Sequence, residues 1–218
     1  MDDLVRVLSL TLLLTSFLTV ESRRMGRAIA AYMAQALVMV AVIVCFATLH
    51  PHLWVWAATA FVTKFALISW MLRRAARGGD DREVPPYVGF WVSTVLIAGL
   101  ALGVYELVHT HASFLAPTPL AEQEPYRTNV AVALTLLFVG MYAVLTRRDA
   151  LKVVMGVCLM ENGAHLSLVT LAPGMRETVL IGVVTDVVLA VFLLLHLVRG
   201  IEQQLGSRDT ARLSALRW

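Results

Sequence analysis

Long apolar stretches, separated by short polar or proline-containing segments, follow one another along almost the whole chain. A hydrocarbon core of about 30 Å requires about 20 apolar residues in one helix. Most of the stretches lack the regular polar face that soluble helices of this length would show. The pattern predicts seven transmembrane helices: Leu4–Val20, Ala28–Leu49, Leu53–Leu72, Tyr87–His109, Arg127–Thr146, Ala150–Ala172 and Glu177–Arg199.

Helix-breaking residues lie between these spans, as expected for loops: Pro51, Pro85–Pro86, the stretch Ala116–Pro125 and Pro173–Gly174. The composition agrees, because 59% of the 218 residues are hydrophobic and the mean hydropathy is +0.76. Little sequence remains for a soluble domain. We therefore predict an all-α, polytopic membrane protein that forms one membrane domain. Within it we distinguish a four-helix part (1–110), a three-helix part (127–200) and a tail (201–218).

The arginines of the loops sort to one side of the predicted membrane. On that side lie Arg23, Arg24, Arg27, Arg73, Arg74, Arg77, Arg82, Arg147, Arg148, Arg199, Arg208, Arg212 and Arg217. The loops of the other side carry Arg127 and Arg176. Because cytoplasmic loops collect Lys and Arg, we predict an outside N-terminus and a cytoplasmic C-terminus. Arg147 and Arg148 then form a cytoplasmic basic loop.

The end of the predicted tail, Ser207–Trp218, alternates charged residues with Leu213, Leu216 and Trp218. Such a segment can lie on the membrane surface or dock on a cytoplasmic partner. A merely disordered end fits the pattern equally well.

Three ionisable residues lie near the middle of predicted spans: Lys64, Glu161 and Asp186. A charge at the bilayer centre costs roughly 2.5–3.5 kcal/mol on insertion scales, and such residues usually mark ion paths or proton relays. We interpret Glu161 and Asp186 as members of a proton path. Lys64 belongs to the same path or forms a structural ion pair with a carboxylate.

His165 follows Glu161 by four residues, so both side chains project from one helix face. Its imidazole can exchange a proton with a carboxylate. A histidine satisfied by a hydrogen bond to a neighbouring helix is the alternative. His196, near the inner end of the last span, is either a cytoplasmic-side relay or an interfacial residue. A further cluster near the outer end of span four indicates a solvated rim rather than a metal site: Glu106, His109 and His111.

Catalytic or cofactor-binding motifs are missing from the sequence. Cys45 and Cys158 are far apart and show neither CxxC nor Cys–His spacing, so they do not form a zinc or iron–sulfur site. We interpret both as small buried hydrophobic residues. The sequence contains no glycine-rich phosphate loop and no Ser-His-Asp arrangement. Any redox chemistry therefore belongs to partner proteins, and we predict no cofactor, metal or nucleic acid bound by this chain.

Two stretches carry a family resemblance. Residues 147–169 read RRDALKVVMGVCLMENGAHLSLV, and residues 181–199 read IGVVTDVVLAVFLLLHLVR. Together, spans five to seven resemble the K subunit of respiratory complex I and the C subunit of Mrp-type sodium/proton antiporters. The strings CLMENGAHL, AFVTKFALI and SALRW more closely resemble the hydrogenase-4 component E family, and this similarity extends over the whole chain.

This resemblance implies an accessory subunit in the membrane arm of a group 4 nickel–iron hydrogenase or formate hydrogenlyase-like complex. The implied location is a bacterial or archaeal cytoplasmic membrane. The implied partners are antiporter-like and complex I H-like membrane subunits, peripheral hydrogenase subunits and membrane lipid. The nickel–iron site and iron–sulfur clusters are expected in those partners. The paired mid-membrane carboxylates of the complex I relatives fall here on Glu161 and Asp186, and their basic loop falls on Arg147 and Arg148.

Two functions follow as expectations. In the first, the chain is not an enzyme on its own but contributes to proton (or sodium) translocation coupled to redox chemistry in its partners. The relay residues are then Glu161, Asp186, Lys64 and His165. In the second, the chain is a structural scaffold whose buried charges set the register of its helices. A relay needs carboxylates that change protonation, whereas a scaffold needs only fixed ion pairs.

Overall fold

The computed structural model describes residues 2–77, 81–115, 123–124, 126–172, 174 and 177–215. Within these ranges the predicted all-α architecture is confirmed. The elements are α1 (Asp2–Glu21), α2 (Met25–Ala47), α3 (Leu53–Ala60), a π-helical segment (Phe61–Ile68), α4 (Ser69–Ala76), α5 (Phe90–Leu115), α6 (Tyr126–Thr146), α7 (Ala150–Leu171), α8 (Glu177–Leu205) and a 3₁₀ segment (Thr210–Ala215).

Six helical stretches in the described ranges are long and apolar enough to cross a membrane: Asp3–Glu21, Met25–Ala47, Leu53–Ala76, Phe90–His111, Tyr126–Thr146 and Ala150–Leu171. They match the first six predicted spans, although the third runs four residues beyond Leu72. The helix α8 covers the seventh predicted span but is not among the six, so the seven-span count and the orientation stay predictions. Much of the predicted breaker Ala116–Pro125, as well as Pro173, Arg176 and Leu216–Trp218, lies outside the described residues.

The helices α6 and α7 approach each other unusually closely. A Cβ atom added to Gly140 would lie 2.5 Å from the carbonyl oxygen of Gly156, a distance that real Cβ atoms do not show. Small residues allow this close backbone approach in membrane bundles, where dispersion contacts drive association. The glycines therefore fix α7 against α6 along much of its length.

Buried apolar side chains form two main clusters, and α7 contributes to both. One cluster joins α7 to α1, α2, α3 and α6, and the other joins it to α2, α4 and α8. By contrast, α5 exposes many large apolar side chains, including Trp91 and Leu102. The helices α2 and α7, which contribute to both clusters, thus lie inside the bundle, so most polar side chains of α7 lie among other helices rather than at the surface.

The predicted tail docks on its own chain. The helix α8 continues to Leu205, so the first residues of the segment 201–218 are helical. Beyond it, the backbone N–H of Ala150 donates to the carbonyl of Arg208 at 3.0 Å, and the N–H of Thr210 donates to the carbonyl of Arg148 at 2.9 Å. This docking could not be predicted from the sequence, because backbone pairing leaves little trace in side-chain patterns.

Candidate functional site: a buried charged cluster

Lys64 lies within the π-helical segment Phe61–Ile68. The π-helix is rare, and short π segments inside α-helices are frequent at functional sites. At the boundary with α4 the hydroxyl of Ser69 donates to the carbonyl of Lys64 at 3.2 Å. The side chain of Lys64 is 1% exposed, so the bundle encloses its amine.

The helix α7 supplies the partners of Lys64. It starts at the N-cap Asp149, whose carboxylate accepts a hydrogen bond from the N–H of Leu151 at 3.0 Å, as N-cap side chains do. Further along, a Cβ at Gly163 would lie 2.5 Å from the carbonyl oxygen of Ala133 on α6. Together, the cap and this close contact set the position of α7 in the bundle.

Lys64 forms a buried ion pair with α7. Its amine donates to Oε2 of Glu161 at 2.7 Å and to Oδ1 of Asn162 at 2.7 Å. The Glu161 side chain is 9% exposed, and Asn162 is fully buried. Burial of two charges carries a large desolvation cost, which only close pairing and added hydrogen bonds can offset. The sequence prediction of a lysine–carboxylate pair is thus consistent with these contacts.

His165 completes this group, which we call the central cluster (Lys64, Glu161, Asn162 and His165). Its Nδ1 lies 2.8 Å from Oε1 of Glu161, but the ring is not aligned for a hydrogen bond. The ring packs edge-on against Trp56, with centroids 5.4 Å apart. Neither ring nitrogen makes a hydrogen bond within the described part of the chain. The imidazole therefore has open positions for a proton beside a carboxylate.

In the central cluster one carboxylate lies 2.7 Å from an amine and 2.8 Å from an imidazole. These groups can exchange protons by small rotations of the side chains. Metal chemistry has no comparable basis, since the described residues contain no group of three His, Cys, Asp or Glu arranged to hold an ion. Cys45 and Cys158 are buried and free, as their sequence context indicates.

Known proteins with similar sequences identify the family. The chain is 32% identical over 212 residues to hydrogenase-4 component E of Escherichia coli (strain K12), with 94% of each chain covered. The Shigella flexneri protein of the same name matches with the same values. The chain belongs to the hydrogenase-4 component E family.

Two further comparisons show which other proteins this member of the component E family resembles. Its residues 129–218 match the family model described as NADH-ubiquinone/plastoquinone oxidoreductase chain 4L. It is also 27% identical over 155 residues to an uncharacterized protein of Mycobacterium tuberculosis, covering 69% of this chain and 66% of that one. No solved structure matches the chain. The resemblances to component E and to the complex I K subunit are therefore confirmed, and the chain is a multi-pass membrane protein.

Asp186 does not join the central cluster in this component E structure. It lies on α8 and is exposed. Among the side chains that the structure describes, it forms no ion pair with Lys64 and no hydrogen bond with Glu161. Glu161 is thus enclosed whereas Asp186 is exposed, and a proton path that includes both carboxylates stays a prediction.

Arg147, assigned from the sequence to a cytoplasmic basic loop, is buried. Its guanidinium pairs with the carboxylate of Glu21 and lies 3.4 Å from Oε1 of Glu83. It also donates to the hydroxyl of Ser93 at 3.1 Å, and Tyr142 donates to the same hydroxyl at 2.6 Å. We call these five residues the end network.

Arg148 stays at the surface, as its loop position indicates, but it too is engaged. It binds the carboxylate of Asp209 through two hydrogen bonds of 3.2 and 2.5 Å. Its guanidinium also lies 5.3 Å from the centre of the Tyr87 ring. Arg148 therefore helps to hold the docked tail.

The remaining predicted polar residues lie away from the central cluster. His109 stacks on Tyr105 and lies 3.3 Å from Glu124, and Glu106 is exposed. His196 is exposed on α8, beside α4. This placement favours the interfacial interpretation of His196.

Lys152 is a buried residue that the sequence analysis missed. Its amine donates to the carbonyls of Thr19, Val20 and Ser22 at 2.6, 3.0 and 2.8 Å. These carbonyls lie at the end of α1, where the last turn of a helix has no internal donors. In the sequence Lys152 lies four residues after the basic pair Arg147–Arg148, near a predicted loop. This position makes it look like one more loop cation rather than a buried amine.

Proposed function

We propose that this chain is a membrane subunit of a hydrogenase or complex I-like oxidoreductase complex, and that the central cluster conducts protons across it. Redox chemistry takes place in partner subunits, which hold the nickel–iron site and the iron–sulfur clusters. The observation that carries the proposal is the enclosed Lys64–Glu161 pair with His165 beside it. Sodium is the alternative coupling ion.

Family membership supports the assembly part of the proposal. The relatives in Escherichia coli and Shigella flexneri are named as hydrogenase-4 components, and the matching family model is named for an NADH-quinone oxidoreductase chain. We infer that this chain likewise works inside such a complex, as an accessory subunit without an active site of its own. Its neighbours would be antiporter-like and complex I H-like membrane subunits, in the cytoplasmic membrane of a bacterium or archaeon.

The central cluster offers a short proton path. Transfer from the Lys64 ammonium to the Glu161 carboxylate turns an ion pair into a neutral pair, so the net charge of the site does not change. The protonated Glu161 then lies 2.8 Å from Nδ1 of His165. His165 is four residues further along α7, or about 6 Å along the helix axis. A proton on His165 has therefore moved toward the predicted outer side.

Asp186 has a different part in this proposal. A carboxylate that faces lipid at mid-membrane is costly, and Asp186 is exposed on α8. In the assembled complex we propose that it faces a polar group of a neighbouring membrane subunit. It would then exchange protons with that neighbouring subunit rather than directly with Glu161.

The test is redox-coupled proton uptake by vesicles, normalised to the amount of assembled complex. Glu161→Gln keeps the size and hydrogen bonding of the side chain but removes its titration, so uptake should fall about tenfold or more. Asp186→Asn should give a similar or milder loss. The matched control is Glu106→Gln, a carboxylate change at an exposed site of α5, which should leave uptake intact.

A structural scaffold is the second candidate, and one observation favours it. Lys64 is held by two hydrogen bonds of 2.7 Å, the geometry of a fixed ion pair. Under this alternative the Glu161→Gln complex takes up as many protons as the wild type, once uptake is normalised to the amount of assembled complex. Lys64→Met should then reduce the amount of assembled complex without changing the uptake per complex.

A further inference from the structure

A groove runs between α4 and α8 at the end of the bundle where the arginines cluster. It encloses about 340 Å³ and is lined by Trp70, Met71, Arg74, Phe192, Leu195, His196 and Arg199. A second groove of about 350 Å³ lies on the other side of Trp70 and Arg74, and Arg73 and Arg77 line it. The two grooves share Trp70 and Arg74, and each combines apolar side chains with arginines at its rim.

The arginines that line these two grooves have no acidic partner in the part of the chain that the structure describes. Arg73, Arg74, Arg77 and Arg199 are exposed, and none of them pairs with a carboxylate among the described side chains. Neither groove is lined by a described acidic residue.

The other arginine-rich pockets differ in this respect. The pocket near the end of α1 combines its arginines with Glu21 and Glu83. The pocket beside the docked tail combines its arginines with Glu83, Glu202 and Asp209. The groove between α4 and α8 is therefore a site of uncompensated positive charge next to apolar surface.

These features match one kind of ligand. Guanidinium groups bind phosphate through paired hydrogen bonds, and tryptophan rings prefer the membrane–water interface. The guanidinium of Arg74 lies 5.4 Å from the centre of the Trp70 ring, which places a cation at the level of an interfacial ring. Below them, Phe192 and Leu195 supply an apolar wall for a hydrocarbon chain.

We propose that this groove binds an anionic phospholipid, with its phosphate on Arg74 and Arg199 and an acyl chain along Phe192 and Leu195. Basic pockets between transmembrane helices bind such headgroups in other membrane proteins. The bound lipid would bridge α4, which continues the π-helical segment that carries Lys64, and α8, which carries Asp186. The site does not depend on proton conduction through the central cluster.

The experiment is native mass spectrometry of the full chain, released from detergent after incubation with phosphatidylglycerol or phosphatidylcholine. The wild type should retain phosphatidylglycerol and little phosphatidylcholine. Each arginine near an anionic lipid gives roughly a fivefold gain in binding, so the double variant Arg74→Gln/Arg199→Gln should bind about 25-fold less. The control double variant Arg23→Gln/Arg27→Gln changes two other exposed arginines and should retain the lipid.

Four outcomes would overturn the proposal. The wild type could retain both lipids equally, or both double variants could lose phosphatidylglycerol equally, which would indicate unspecific attraction. Inorganic phosphate at the same concentration could displace the lipid, which would indicate a site for a free anion. A photoreactive residue in place of Phe192 could crosslink to a partner subunit of the complex instead of to lipid. Retention that is specific for phosphatidylglycerol and depends on Arg74 and Arg199 supports it.

Discussion

The central cluster and the end network both bury a cation against at least one carboxylate, yet they differ in the groups beside that ion pair. In the end network Arg147 holds Glu21, Glu83 and Ser93 together. Both sites contain buried atoms that make no hydrogen bond within the described residues: Nε of Arg147 and Oε2 of Glu83 in the end network, and Oε1 of Glu161 and both ring nitrogens of His165 in the central cluster. Unpartnered buried atoms alone therefore do not distinguish a relay from a clamp. The imidazole beside the carboxylate, which the end network lacks, is the feature on which we base the proposed relay.

The position of each site fits this difference. The end network joins the end of α1, the start of α5, the segment after α4 and the loop between α6 and α7, so it ties helix ends together. The central cluster joins the middle of α7 to the π-helical segment. A clamp at helix ends functions best with fixed charges, whereas a relay must change its charges repeatedly. We expect substitutions in the first region to affect stability and substitutions in the second to affect coupling.

The largest effect on stability is expected for Arg147→Met. The substitution leaves Glu21 and Glu83 buried without their shared cation, and breaking a buried pair in this way costs about 3–5 kcal/mol. Thermal unfolding in detergent and the yield of folded protein measure the loss. A yield and a melting temperature equal to those of the wild type would show that the end network is not a clamp.

The second largest effect on stability is expected for Gly163→Ala. The new Cβ would lie 2.5 Å from the carbonyl oxygen of Ala133, so α7 must move away from α6, at a cost of about 1–3 kcal/mol. Because Gly163 lies two residues after Glu161, the displacement should also lower coupled proton uptake. Gly103→Ala is the control, since its Cβ would meet nothing within 4 Å. Equal stability of the two variants would contradict the close packing of α6 and α7.

A smaller effect with a defined pH dependence is expected for Glu83→Gln. Burial raises the pKa of the Glu83 carboxyl above its ordinary value of 4.5, although Lys152 and Arg147 oppose the shift. The folded protein therefore keeps this proton at a pH where the unfolded chain has lost it. The contribution of Glu83 to the free energy of unfolding is full below pH 4.5 and falls as the pH rises toward the raised value.

The measurement is the melting temperature of the wild type and of Glu83→Gln between about pH 4 and pH 7. The wild type should lose stability relative to the variant as the pH increases, because the glutamine does not titrate. A difference that stays constant over this range, or that changes in the opposite direction, would show that burial does not control this carboxyl.

The smallest effect is expected for Asp209→Asn. The pair of Arg148 and Asp209 is partly exposed, with 30% exposure of the arginine side chain, and such pairs contribute about 0–1 kcal/mol. The variant should keep its melting temperature within a few degrees but release the tail more readily to limited proteolysis. A fall in melting temperature as large as that of Arg147→Met would show that the docked tail stabilises the bundle as much as the end network does.

The sequence predicts the residues of the central cluster well, because few charged residues lie within apolar helices. The position of each one along its span can be counted from the sequence. Lys64 and Glu161 stand out for that reason, and His165 follows from its spacing of four residues. The exposure of Asp186 could not be predicted, since the residues around it on α8 are almost all apolar and do not indicate which face of the helix is buried. The burial of Arg147 in its loop could not be predicted, because a buried arginine and a solvated arginine look identical at the end of a span.

The most direct test of the account is whether Glu161 changes its protonation state during turnover. Infrared difference spectra of the vesicle-bound complex, recorded with and without the redox substrates, detect a carboxyl C=O band when a buried glutamate gains a proton. We expect a band that is present in the wild type and in Glu106→Gln and absent in Glu161→Gln. A wild-type spectrum without such a band, or a band that persists in Glu161→Gln, would contradict the relay and leave the fixed ion pair as the better description.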